Sequence, residues 1–139
     1  MNKEKANIGG METLIFNIKP QPKQRIRVTR KGAYTPKPTV DFEKAIRKMA
    51  QEQWKKEPIE GPLICAIVFS HKKPKTGKLD YPPADLDNMV KSLWDGMQGV
   101  IFKNDKQFVG LQAAKVYGED KIVVSVGKYE PDTPPNSSK

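Results

Sequence analysis

The chain has 139 residues, enough for one domain with a single modest core, and 37% of them are hydrophobic. No apolar run nears the ~20 residues needed to span a bilayer, and with one cysteine and one histidine, Cys65 and His71, neither an internal disulfide nor a four-ligand structural zinc site is available. Lys and Arg number 25 against 16 Asp and Glu, a formal charge of +9 that favours a polyanionic partner, nucleic acid or an anionic membrane surface.

Residues 1–12 are polar and contain Gly9-Gly10, so they read as a flexible N-terminal extension. The start, MNKEKANIGG, lacks an apolar h-region, and no secretory leader is expected. Thr13 to Ile18 alternates Leu14, Phe16 and Ile18 on one face and predicts a strand. The stretch that follows, QPKQRIRVTRKGAYTPKP, is punctuated by Pro and Gly and reads as loop, with a short extended piece presenting Arg25 and Arg27 on one side. From Thr13 to Val40 there is no acid, yet Lys19, Lys23, Arg25, Arg27, Arg30, Lys31 and Lys37 all fall there.

Helical spacing of Phe42, Ile46 and Met49 predicts a helix over Asp41 to Trp54, with Asp41 and Glu43 in its first turn. Leu63 to Phe69 is continuously apolar and reads as a strand buried on both faces, with Cys65 a reduced core residue. Residues 70–84 form a long Lys- and Pro-rich loop carrying Lys72, Lys73, Lys75 and Lys78. A second helix starts near Asp85, its apolar arc formed by Leu86, Met89, Val90, Leu93, Trp94 and Met97, and Gly96 and Gly99 weaken and end it. Phe108 to Tyr117 and Lys121 to Tyr129 read as strands of an antiparallel hairpin turning at Gly118-Glu119-Asp120. Residues 130–139 are a tail without core-forming residues. The expected architecture is α+β, one folded domain over residues 13–129 with a mixed sheet and two main helices in the order β-α-β-α-β-β.

The informative stretch is PPADLDNMVKSLWDG, where a basic protein gathers Asp85, Asp87 and Asp95. Asp85 suits an N-cap and Asp87 the first turn, so both carboxylates emerge at the mouth of the Lys-rich loop, close enough to share a cation. Lys91 follows one turn after Asp87, and Asp105 sits in the polar turn FKNDKQ. The ordinary alternative is an acidic helix cap with an i,i+4 Asp87–Lys91 pair worth ~0.2–0.5 kcal/mol. Against it stand the cationic loop beside the acids and the lack of other catalytic groups. Hard oxygen ligands of this kind select Mg²⁺, which also binds phosphate oxygens, and the residues read as a Mg²⁺-dependent phosphodiesterase acting on nucleic acid.

Asp85-Leu86-Asp87-Asn88, Lys91, Asp95 and Asn104-Asp105, preceded by Pro22-Lys23-Gln24-Arg25-Ile26-Arg27-Val28 and Tyr34-Thr35-Pro36, resemble the RusA family of Holliday junction resolvases over residues 13–129. The resemblance implies a small homodimeric endonuclease that makes paired symmetric nicks in four-way DNA junctions during recombination and repair. It implies Mg²⁺, with Mn²⁺ as a substitute, and no small-molecule cofactor or membrane. It assigns catalysis to Asp85, Asp87, Lys91 and Asp105, with the three acids as metal ligands, and suits a cytoplasmic protein of phage or prophage origin. Asn104 departs from the pattern, standing where many relatives are expected to carry a second acid.

DNA contacts are expected from Lys23, Arg25, Arg27, Arg30, Lys72, Lys73 and Lys75. Phe69 and Tyr81 bracket the basic loop; a wedge between bases is one role for either, and packing the more ordinary one. Two other readings stay open: a basic nucleic-acid-binding module without catalysis, and a nuclease of the same chemistry on other branched nucleic acids.

Overall fold

The computed structural model describes residues 10–131; the expected extension falls largely on residues 1–9 and the expected tail on 132–139, outside the described residues. Alternation builds the core. Leu14 and Phe16 on β1 (Met11–Phe16), Leu63, Cys65, Ile67 and Phe69 on β4 (Leu63–His71), and Ile122, Val124 and Val126 on β6 (Lys121–Lys128) all face inward and are buried. Helices α1 (Lys37–Gln53) and α2 (Leu86–Met97) cover that one face, α1 against β1 and α2 against β5 (Phe108–Tyr117). With both helices on the same side, the other face of the sheet stays open, and Ile15, Val68 and Val116 are exposed there. The apolar run of β4 is therefore covered on one face, not two as its composition suggested.

The sheet order is β1-β6-β4-β5, with β5 parallel to β4 and β6 antiparallel to both β4 and β1. The expected β5–β6 hairpin does not form, because β4 lies between those strands. The turn after β5 steps across the end of β4: Gly118 N–H donates to His71 O (2.8 Å), and Lys72 N–H donates to the Asp120 carboxylate (2.8 Å). A Cβ at Gly118 would stand 2.7 Å from Ser70 Oγ, so any larger residue at the crossing would turn that hydroxyl aside.

Helix α1 starts a turn earlier than expected, with Pro38 in its first turn, where a missing N–H costs nothing. Asp41 and Glu43 consequently lie outside the first turn, and Asp41 pairs with Lys37 (2.7 Å) instead. Gly96 does not end α2. It lies inside the helix where α1 crosses, and a Cβ there would be 2.7 Å from Ile46 Cβ. Arg47 of α1 then caps α2, donating to Asp95 O (2.9 Å) and Gln98 O (2.6 Å), two carbonyls a helix end leaves unsatisfied. Trp54 is buried, and Trp94 stacks on Phe108 with ring centroids 4.4 Å apart, fastening α2 to β5. No helix among the described residues is long and apolar enough to cross a membrane.

Between β1 and α1 the Pro-rich stretch forms a two-stranded ribbon, β2 (Arg27–Thr29) and β3 (Gly32–Tyr34), that stands apart from the main sheet. Its register pairs Arg27 with Tyr34 and Val28 with Ala33.

Candidate active site

Asp85 is the N-cap of α2. One carboxylate oxygen accepts from Asp87 N–H (3.1 Å), the other from Asn88 Nδ2 (3.3 Å). Asp87 is exposed in the first turn and Lys91 one turn later, and no ion pair among the described residues involves either. The routine Asp87–Lys91 bridge is absent, so both charges remain available at one helix end.

The acid-free segment lies along this same end. Lys23 N–H donates to Asn88 O (2.9 Å), and Ser92 Oγ donates to Gln21 O. The Lys23 ammonium turns inward to Asp95 and to Glu43 (3.2 Å), two carboxylates from two helices. Hydrogen bonding to Asp95 raises the Lys23 pKa and keeps it charged. Its charge is thus matched within the fold, and its place is a clamp between the segment, α1 and α2. Beyond it a groove of about 410 Å³ runs between Arg25, Ile26, Asn88 and Lys91. Arg27 and Arg30 are exposed on the ribbon.

The Lys-rich loop reaches the same end of the fold, since α2 runs back from the end of β4. Two residues that the sequence did not single out pin it: Lys115 Nζ donates to Ala84 O (2.9 Å), and Tyr117 OH donates to Tyr81 O (2.8 Å). Their inward places on β5 follow from the parallel register, which the sequence did not disclose. Lys72, Lys73 and Lys75 are exposed, with the Lys73 ammonium 5.4 Å from the Tyr117 ring centroid. Phe69 is fully buried and takes the packing role; Tyr81 is exposed beside Lys115.

Asp105 is not part of this cluster. It opens the 3₁₀ turn Asp105–Gln107 leading into β5, and its N–H donates to Gln98 Oε1 (3.1 Å) past the far end of α2. Twelve residues of α-helix separate that end from Asp85, about 18 Å. Among the described residues no three His, Cys, Asp or Glu side chains gather where they could hold a metal. Asn104, the departure from the expected acid, serves its own turn, which it caps by accepting from Lys106 N–H (2.8 Å) through its side chain.

The remaining donor set still suits a hard cation. Asp87 is unengaged, and the Asp85 carboxylate has about four lone-pair sites, two of them used by N–H donors. Mg²⁺ needs only one or two carboxylates when water and phosphate complete its shell.

Residues 17–127 match the family described as Endodeoxyribonuclease RusA. No curated protein matches the chain. Among solved structures, a HypE–HypF complex is similar at 14% identity over 84% of this chain and 31% of its own, with a TM-score of 0.37. Hydrogenase maturation protein HypE is similar at 11% identity over 90% and 32%, with a TM-score of 0.32. The chain spans about a third of those chains' length, and at such TM-scores the likeness bears on neither fold nor function.

Proposed function

The chain belongs to the RusA family of endodeoxyribonucleases, and from that premise we propose that it resolves four-way DNA junctions by paired, Mg²⁺-dependent nicks, working in the cytoplasm as a homodimer. The observation that carries this reading is the unpaired Asp87 and Lys91 at one helix end, where Lys91 lines a groove shared with Arg25.

Arg25 and the Asn88 amide would seat a phosphate in the groove, next to the Asp85 and Asp87 carboxylates. The Lys91 ammonium, one helical turn away, would donate to the phosphate oxygens as negative charge builds on them in the transition state. When bound to Asp85 and Asp87, Mg²⁺ supplies Lewis-acid polarisation of the phosphodiester and an activated water. Lys72, Lys73 and Lys75 extend the cationic surface along a DNA arm, where contacts to phosphate fix register without reading sequence.

Asp105 joins such a site only from a second copy. Of the two edge strands of the sheet, β1 and β5, the longer is β5, a ten-residue strand with Val109 and Leu111 exposed. A two-fold axis running β5 antiparallel beside the partner's β5 reverses the two ends, carrying Asp105 of the partner subunit toward Asp85 and Asp87. That arrangement closes an otherwise unpaired edge and gives two equivalent sites for two symmetric cuts.

A labelled synthetic four-way junction incubated with Mg²⁺ or with EDTA tests the reading. Paired nicks that require the cation and disappear in Asp87→Asn support it. One observation favours the second reading, a binding module without catalysis: Asp85 is engaged as a helix cap. Junction retarded but uncut with Mg²⁺ or Mn²⁺ would establish that reading. A panel of branched and linear substrates separates junctions from other targets.

A further inference from the structure

The β2–β3 ribbon has two chemically opposite faces and no core to bury either. Strand alternation puts Arg25, Arg27 and Thr29 on one face with Tyr34, opposite Arg27 in the register. Ile26, Val28 and Ala33 take the other. Every ribbon residue is exposed, and Val28 and Ile26 keep 80% and 62% of their surface. Scattered single apolar residues on a surface are ordinary; adjacent β-branched ones on an isolated two-stranded ribbon are not, since such a ribbon is marginal in water. Folding does not explain the apolar face.

Charge and position identify what covers it. The opposite face is cationic, the segment from Thr13 to Val40 holds no acid, and Ile26 itself lines the groove shared by Arg25 and Lys91. A polyanion engaged by Arg25 in that groove meets Ile26 there, and Val28 continues the apolar face two residues on. Intact duplex offers a phosphate backbone but hides the faces of its bases; a branch point exposes them where stacking is interrupted. Phe69, one of the two residues from which the sequence suggested a wedge, is buried in the core.

We propose that the β2–β3 ribbon is the element that distinguishes branched from linear DNA, inserting Ile26 and Val28 against unstacked bases at the branch point while Arg25 and Arg27 hold the flanking phosphates. Apolar side chains enter base steps in this way wherever proteins kink DNA. The inference rests on the proposed action on junctions, and it concerns recognition, not scission.

The test uses the full chain and a four-way junction carrying 2-aminopurine either at the crossover or in mid-arm, with EDTA present so that no strand is cut. Wild-type protein at saturating concentration should raise crossover fluorescence several-fold and leave the arm probe unchanged. The Ile26→Ser/Val28→Ser variant should abolish that rise, and its preference for junction over linear duplex should fall by about tenfold. Both residues are exposed, so its melting temperature serves as a folding control. An unchanged crossover signal in the variant overturns the proposal. So does a halved particle mass for the variant in sedimentation, which would assign the apolar face to a second copy of the chain. If wild-type protein lights the crossover probe yet never cuts with Mg²⁺, the catalytic reading fails and this one stands; cutting without a crossover signal gives the converse.

Discussion

Asp85 and Asp105 occupy opposite ends of α2, the first as its N-cap and the second held past its C-terminus by the 3.1 Å bond from its N–H to Gln98 Oε1. If Asp105 serves the partner's site, two inactive variants complement each other. In a mixed dimer of Asp87→Asn and Asp105→Asn, one site lacks both acids and the other keeps both. Each variant alone should be inactive, and a one-to-one refolded mixture should recover about a quarter of wild-type strand scission, half the dimers having one live site of two. A silent mixture would place all three acids in the service of one chain.

Asp85 combines capping with a charge, and two substitutions part them. Asp85→Asn keeps an oxygen acceptor for Asp87 N–H and should hold thermal stability within a few tenths of a kcal/mol while abolishing cleavage, because Asn is as good an N-cap as Asp. Asp85→Ala should lose about 1 kcal/mol as well. Chemical denaturation beside a cleavage assay reads both. Full cleavage by Asp85→Asn would reduce this residue to a cap.

Lys23 and Arg25 lie two residues apart but face different charges. Lys23→Met removes an ammonium already matched by Asp95 and Glu43, so the salt dependence of junction binding should keep its slope, with stability falling by less than about 1 kcal/mol for a pair this exposed. Arg25→Ala or Arg27→Ala should each shallow the slope of log K against log salt by about 1. Equal slopes for all three variants would contradict the assignment.

Gly96 is a packing residue. Gly96→Ala adds a methyl where Ile46 Cβ already stands 2.7 Å from the ideal Cβ. Although alanine is the better helix former, separating α1 from α2 should cost about 1–3 kcal/mol, measured by urea unfolding. Stability unchanged or raised in Gly96→Ala would contradict the contact.

His71 gives stability an acid limb. Burial lowers its pKa below 6.5; Asp120 opposes the shift, while Lys19 and Lys115 reinforce it. A base with a depressed folded pKa binds more protons when unfolded, so stability is full above the unfolded value and declines as pH drops below 6.5, by up to about 1.4 kcal/mol per unit until the folded group also protonates. Neither ring nitrogen has a hydrogen-bond partner among the described residues, which leaves His71→Phe without a bond to lose. The variant should flatten this limb between pH 6.5 and 5; an unchanged limb would assign the acid sensitivity to other groups.

Much of this protein is legible in its sequence alone. Period-3.6 and period-2 patterns place both helices and the main strands because each element carries its own apolar face, and Asp85 is readable as an N-cap because capping is decided within three residues. The free acid and lysine on one helix face, like the acid-free basic segment, are also local in sequence. Pairing is not legible. Gly118-Glu119-Asp120 looks like a hairpin turn, and only the insertion of β4 between β5 and β6 shows it to be a crossing over His71. The same parallel pairing of β4 with β5 sends Asp105 to the far end of α2, while the lone pairing of β2 with β3 leaves Ile26 and Val28 uncovered. Local sequence decides which way side chains alternate along each element; which elements become neighbours, and hence which charges meet, is decided by burial summed over the whole chain.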